Sequence, residues 1–193
     1  MNMNVRSNKI SMVLLLTMVI LLQGCTEAIV AGGMGTLVAL HDARSTRHWY
    51  QDQAIEKDAR RLLKKDSSLD GRADINVVSY NRQVLLTGAV ASGSLSRHAA
   101  RLVAGVRDVR KVFNELTVTA KGNVSGGDGM LATRLKARLF FNDFDATRVK
   151  VISSSGHVYL MGLVSHAESD KVVAMLNDFD GVNQVTRMFE YVD

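Results

Sequence analysis

Two stretches of the chain alternate apolar and polar positions in nearly the same order. The first is Ile75-Asn76-Val77-Val78-Ser79-Tyr80-Asn81-Arg82-Gln83-Val84-Leu85-Leu86-Thr87-Gly88-Ala89-Val90. The second is Val149-Lys150-Val151-Ile152-Ser153-Ser154-Ser155-Gly156-His157-Val158-Tyr159-Leu160-Met161-Gly162-Leu163-Val164. Val84 and Val158, Leu86 and Leu160, and Gly88 and Gly162 are each separated by 74 positions (158 − 84). Such alternation predicts half-buried strands over 74–80 and 83–90, and again over 148–154 and 157–164, joined by turns at Tyr80-Asn81-Arg82-Gln83 and Ser154-Ser155-Gly156.

Helical spacing brackets each hairpin. Ile55, Ala59, Leu62 and Leu63 form one apolar stripe, with Asp52 as the expected N-cap. Glu56, Lys57, Arg60, Arg61, Lys64 and Lys65 read as a solvated face. A second helix over 94–105 gathers Leu95, Ala99, Leu102, Val103 and Val106, and a strand over 110–119 closes the unit. The plan repeats as a helix over 130–141, the hairpin, a helix over 167–178 ended by Gly181, and a strand over 184–192. A right-handed crossover lets each last strand join its hairpin in parallel. The expected fold class is therefore α+β: two small α-β-β-α-β sandwiches, each a three-stranded mixed sheet with two helices on one face. Gly88 and Gly162 are expected where each middle strand passes closest to a helix and needs backbone room.

Length and composition refine this reading. At 193 residues the repeat implies two modules of roughly 65–70 residues each, near the lower limit for a self-supporting core. With Cys25 the only cysteine, no internal disulfide is possible, so the cores hold by packing alone, aided by docking of one module on the other. The organisation is then a leader over 1–24, a tether over 25–51, a first module over 52–119, a linker over 120–129 and a second module over 130–193. Trp49 and Tyr50 in the tether either pack on the first module or sit at a bilayer interface. The formal charge is +5, and it falls to +3 without Arg6 and Lys9, which gives no indication of nucleic acid.

Arg6 and Lys9, then the apolar run Met12–Leu22, then Gln23-Gly24-Cys25 have the anatomy of an export signal. The run is shorter than the about 20 residues that cross a bilayer; the alternative is an uncleaved anchor continuing into 28–40. Leu22-Gln23-Gly24-Cys25 resembles the bacterial lipobox, which implies removal of residues 1–24, acylation of Cys25 and, with Thr26 following, the outer membrane. The glycines at Gly32, Gly33 and Gly35 are not followed by Gly-Lys-Ser/Thr, so a spacer is expected there and not a phosphate loop.

Val84-Leu85-Leu86-Thr87-Gly88 and Val158-Tyr159-Leu160-Met161-Gly162, with the closing motifs Val109–Leu116 and Gly181–Val185, resemble a tandem of BON domains. With the lipobox and Asp42-Ala43-Arg44-Ser45, the whole layout is similar to that of dual-BON outer-membrane lipoproteins of Gram-negative bacteria. The resemblance implies a non-enzymatic protein, lipid-anchored on the periplasmic face of the outer membrane. It also implies binding of anionic phospholipid, mainly through the second module, and support of outer-membrane integrity, including at the division site. The family pattern tends to place an aromatic near the start of the second module's first helix, where this chain has Met130; Arg187 stands where the first module has Asn114.

On a helical wheel, Leu131, Leu135 and Leu139 face the sheet. Met130, Ala137, Phe140 and Phe141 fall largely on the other side, flanked by Arg134, with Lys136 and Arg138 at the edges. A solvated face has no need of two phenylalanines, whereas an interfacial one does. These residues are the expected phospholipid contact; the competing reading packs Phe140 and Phe141 against the first module. A second functional class, an adaptor for envelope-assembly or cell-wall-remodelling proteins, would use the same helix. His41, His48, His98, His157 and His166 are scattered without ligand spacing, and no nucleophile–base arrangement is present, so no enzyme, metal or cofactor beyond the covalent lipid on Cys25 is expected.

Overall fold

The computed structural model describes residues 46–120, 129–142 and 144–193. The first module runs α1 (Thr46–Lys65), β1 (Ala73–Tyr80), β2 (Gln83–Val90), α2 (Gly93–Ala104) and β3 (Lys111–Val118). The second runs α3 (Gly129–Phe140), a 3-10 turn (Ala146–Arg148), β4 (Val149–Ser154), β5 (His157–Val164), α4 (His166–Asn177) and β6 (Gln184–Tyr191). The leader, Cys25 and almost all of the linker lie outside the described residues. In each sheet the middle strand pairs antiparallel with its hairpin partner and parallel with the last strand, giving the orders β1-β2-β3 and β4-β5-β6. The α+β architecture is present twice.

Alternation along the strands decides what each face meets. Val77, Val84, Leu86 and Val90 point to the helices and pack with Ile55, Ala59, Leu63, Ala99 and Val103. Val151, Val158, Leu160 and Val164 do the same with Leu131, Leu135, Leu139, Val172 and Leu176. The opposite faces also avoid water. Val78, Tyr80 and Leu85 of the first sheet share one buried cluster with Ile152, Tyr159, Met161 and Met188 of the second. Two sheets therefore pack back to back, with helices outermost on both sides.

The hairpin turns are a second local constraint. Asn81 and Arg82 take φ of 50° and 67°, and Ser155 and Gly156 take 53° and 77°, as two-residue turns matching the twist of their strands require. The left-handed region costs a non-glycine residue about 1–2 kcal/mol, and in the first module both positions are non-glycine. Asp52 offsets that strain: its carboxylate accepts from the amides of Asn81 and Arg82, each at 2.8 Å, and from Ser79 Oγ at 2.6 Å. Asp52 is thus not an N-cap. Helix α1 begins at Thr46, inside the span read as tether, and Asp52 lies in its second turn, 1% exposed. Trp49 ends the first turn and Tyr50 opens the second, with Trp49 half-buried and Tyr50 exposed.

Glu56, read as solvated, is only 6% exposed. It accepts from the Ser79 amide at 2.9 Å, from Arg60 at 2.7 Å and, across the module junction, from Lys150 Nζ at 3.0 Å. Lys150 also donates to Ser79 O at 3.2 Å, and Asn81 Nδ2 to Glu190 Oε1 at 2.7 Å. Ion pairs of this kind gain little net stability because desolvation opposes them, whereas each buried apolar side chain of the shared cluster contributes about 1.5–3 kcal/mol. The apolar faces hold the modules together and the polar bridges set their register.

Three further expectations change in detail. Leu62 is 42% exposed and lies off the buried stripe. Gly181, with φ +87°, does not end α4, which stops at Asn177; it serves the following turn, where Val182 N bonds Phe179 O at 3.0 Å. A Cβ on Gly88 would stand 2.1 Å from Asp74 O, and one on Gly162 2.5 Å from Arg148 O. The room Gly88 provides is for the backbone of β1, and that of Gly162 for the end of the 3-10 turn leading into β4, not for one of the four α-helices. The modules also differ at matching places: Ser96 and Asn114 join α2 to β3 by neutral hydrogen bonds, the shortest at 2.9 Å, whereas Asp170 and Arg187 join α4 to β6 by an ion pair at 2.6 Å.

Two outcomes follow for stability. Asp52→Ala leaves strained amides unpaired and should cost about 3 kcal/mol in urea denaturation. For Glu56, burial alone raises the carboxyl pKa, but the Lys150 ammonium, the Ser79 amide and Arg60 outweigh burial and hold it below the ordinary 4.5. A depressed carboxyl stabilises fully above its unfolded value and loses that contribution as pH falls through the folded one. The urea midpoint should therefore drop on acidification below about pH 4.5, and should drop less in Glu56→Gln.

Candidate functional site

Helix α3 forms because Leu131, Leu135 and Leu139 recur every fourth residue and are all buried. Its C-terminal end is fixed from inside. Asn142 Nδ2 donates to Arg138 O at 2.7 Å, Phe144 N bonds Leu139 O at 3.2 Å, and the Phe144 ring is buried in the core. The Phe141 amide still bonds Ala137 O at 3.0 Å, so the preceding aromatics continue the helical surface. Phe140 and Phe141 meet edge to face, 5.7 Å between centroids, and are 70% and 80% exposed; Met130, at the other end, is 75% exposed. Burial of these rings against the first module does not occur.

Ala137, Arg134, Lys136 and Arg138 are exposed beside them. The helix has three cations and no acidic residue. The Arg134 guanidinium leans over the Phe179 ring, 5.7 Å from its centroid. Lys136 forms no ion pair among the described residues. Surrounding protein and then the Lys150 ammonium push the Lys136 ammonium below its usual value, although its side chain reaches solvent.

The first module supplies an internal reference. Aligning Ile55, Ala59 and Leu63 with Leu131, Leu135 and Leu139 sets an offset of 76 (131 − 55). Phe140 and Phe141 then occupy the positions of Lys64 and Lys65, and Ala137 that of Arg61. The same scaffold position is polar in one copy and aromatic in the other, so folding does not explain the aromatics.

Among the described residues, the other polar groupings do not form a reactive site. Ser68 Oγ and His98 Nε2 both bind the Asp66 carboxylate, His98 at 2.8 Å; the Ser68 hydroxyl and His98 hold that carboxyl at about 2. The carboxylate stands between them, so the imidazole has no contact through which to take the hydroxyl proton. His166 is tied to Asp193 at 2.8 Å and stacked on Tyr191, and His157 is exposed. Among the described residues no group of three or more His, Cys, Asp or Glu could hold a metal ion, and no helix is long and apolar enough to cross a membrane.

The family model for the BON domain matches residues 51–120 and 127–193. The outer membrane lipoprotein DolP of Haemophilus influenzae is 34% identical over 183 residues, 93% of this chain and 95% of that protein. The 21 kDa hemolysin of Actinobacillus pleuropneumoniae is 36% identical over 78% of this chain and 79% of its own. The osmotically-inducible protein Y of Escherichia coli is 31% identical over 72% of this chain and 71% of its own.

Proposed function

From the premise that the chain belongs to the BON-domain family, as a tandem homologous to the outer-membrane lipoprotein DolP, we propose that it is a non-enzymatic periplasmic protein, anchored by lipid on Cys25, whose helix α3 binds anionic phospholipid. The observation that carries this reading is the exposed Phe140–Phe141 pair on a helix with cations and no acid. Localisation at the outer membrane is supported by the lipobox-like Leu22–Cys25 and by a relative of that description aligned over nearly the whole chain.

Magnitudes set the character of the contact. Each phenylalanine moved from water into the bilayer boundary gains about 2–3 kcal/mol, and each cation near an anionic surface about 1 kcal/mol. Association itself costs at least about 4 kcal/mol, so α3 alone binds weakly. The anchor supplies what is missing, because a tethered module meets the surface at high effective concentration. The second module as a whole is slightly acidic: residues 130–193 carry 7 Lys/Arg against 8 Asp/Glu. Binding is therefore confined to the cationic helix.

The test uses residues 42–193, which form one compact unit. This unit should co-sediment with phosphatidylglycerol-containing vesicles in a salt-sensitive manner, and Phe141→Glu with Arg134→Glu should abolish this while leaving circular dichroism unchanged. Undiminished binding by that variant removes α3 as the contact. Loss of a protein pull-down that persists without lipid would instead favour an adaptor role for the same helix.

A further inference from the structure

Helix α1 is rich in cations, yet one leucine stands exposed among them. Leu62 is 42% exposed. Its counterpart in α3, by the same offset, is Arg138 (138 − 62 = 76), so the scaffold does not require an apolar side chain there. Leu62 lies in a cleft of about 350 Å³ between the C-terminal end of α1 and the turn that follows α2. Asp58, Arg61 and Lys65 line it from α1, and Val106 and Arg107 from the turn. Arg61 is paired with Asp58; Arg107 stands 3.7 Å from its neighbour Asp108, with its side chain 93% exposed. Lys65 forms no ion pair among the described residues. Cations are favoured at helix C-termini, which accounts for charge at this end of both helices and not for a leucine in its midst.

The second module bridges the same gap with its own side chains. Phe179 corresponds to Val106 (179 − 106 = 73): their amides bond Leu176 O at 3.2 Å and Val103 O at 3.1 Å, and two positions on Gly181 and Asp108 both take positive φ. Arg134 corresponds to Asp58 (134 − 58 = 76). The Arg134 guanidinium lies over the Phe179 ring, whereas a carboxylate has no such attraction for a valine, and the cleft stays open between Asp58 and Val106. Charge follows the same division. Residues 52–119 carry 12 Lys/Arg against 8 Asp/Glu, so +4, and residues 130–193 carry 7 against 8, so −1. We propose that this cleft seats an extended acidic segment of a partner protein, with carboxylates on Arg61, Lys65 and Arg107 and one apolar side chain against Leu62 and Val106. Helices α1 and α3 lie on opposite outer sides of the packed sheets, so a chain whose α3 rests on the bilayer turns this cleft towards the periplasm. The choice of a protein over a lipid surface rests on that reading; the chemistry of the cleft does not.

The experiment titrates the compact unit of residues 42–193 with an end-capped Glu-Leu-Glu-Leu-Glu peptide, following amide shifts and affinity, with Glu-Ser-Glu-Ser-Glu as the reference. Shifts should fall at residues 58–65 and 105–107, and the leucine peptide should bind about 5-fold more tightly, as partial burial of one leucine predicts. Lys65→Gln with Arg107→Gln should weaken both peptides by about 5-fold, as loss of two surface cations predicts. Leu62→Ser should abolish the preference for leucine and leave the serine peptide unaffected. Lys57→Gln with Arg97→Gln removes the same charge from exposed positions outside the cleft, and should change binding by less than about 2-fold. The cleft is overturned if neither peptide binds, if leucine brings no advantage, or if the two double variants lose affinity equally, as diffuse attraction to a basic module would require. Co-sedimentation with phosphatidylglycerol vesicles follows α3 separately, and Lys65→Gln with Arg107→Gln should bind them like the unaltered unit. Loss of vesicle binding in that variant makes the occupant a lipid and overturns the protein site. If Phe141→Glu with Arg134→Glu then keeps its vesicle binding, the α3 reading falls as well.

Discussion

Two sheets that each show an apolar face to the other, and not to water, are the constraint from which the rest follows. Val78, Tyr80 and Leu85 against Ile152, Tyr159, Met161 and Met188 fix the modules back to back. A module of this size is near the limit of what a single core can stabilise, and the shared layer gives each a second apolar surface to bury. It also drives the helices outward, which is why the polar or aromatic character of α1 and α3 is free to diverge. Glu56 and Lys150 then pin the relative position of the sheets at the edge, with Arg60 on the same carboxylate.

Duplication followed by unequal decoration explains the asymmetry of the molecule. The buried triplets, the hairpins, the crowded glycines and the parallel last strands are held in common, because each is needed to close a small sandwich. What differs lies outside the shared cores: Phe140 and Phe141 for Lys64 and Lys65, Ala132 for Glu56, and an Asp170–Arg187 ion pair for the Ser96–Asn114 hydrogen bonds. The turn residues are a coupled exception. Gly156 takes a left-handed position with no Cβ to strain it, whereas Arg82 takes it with the help of the Asp52 carboxylate.

Most of the fold was legible from periodicity, since strands and helices alike end within a residue or two of where the apolar pattern ends. The start of α1 was not, because no apolar stripe precedes Asp52 to announce it. The roles of Asp52 and Glu56 depend on partners more than 20 positions away in the hairpin, which local spacing does not reveal. A signal was nevertheless there. At about 100° per residue Asp52 falls between Ala59 and Leu63 on the wheel, inside the buried stripe, whereas Leu62 falls outside it. The sheet-to-sheet layer was likewise written in uninterrupted runs such as Val84-Leu85-Leu86 and Val158-Tyr159-Leu160-Met161, which read as strands buried on both faces. Exposure of Met130, Phe140 and Phe141 needed the structure, because the wheel alone allowed them to pack on the first module.

The central claim is that the aromatic end of α3, and not its basic counterpart on α1, touches the bilayer. Amide signals of the acylated chain in phosphatidylglycerol nanodiscs doped with nitroxide-labelled lipid test it most directly, since nearby spin labels attenuate only what lies close to the membrane. The account predicts strong attenuation at Phe140 and Phe141 and little at Lys64 and Lys65. Equal attenuation at both pairs, or signals at Phe140 and Phe141 that persist unchanged, would contradict it.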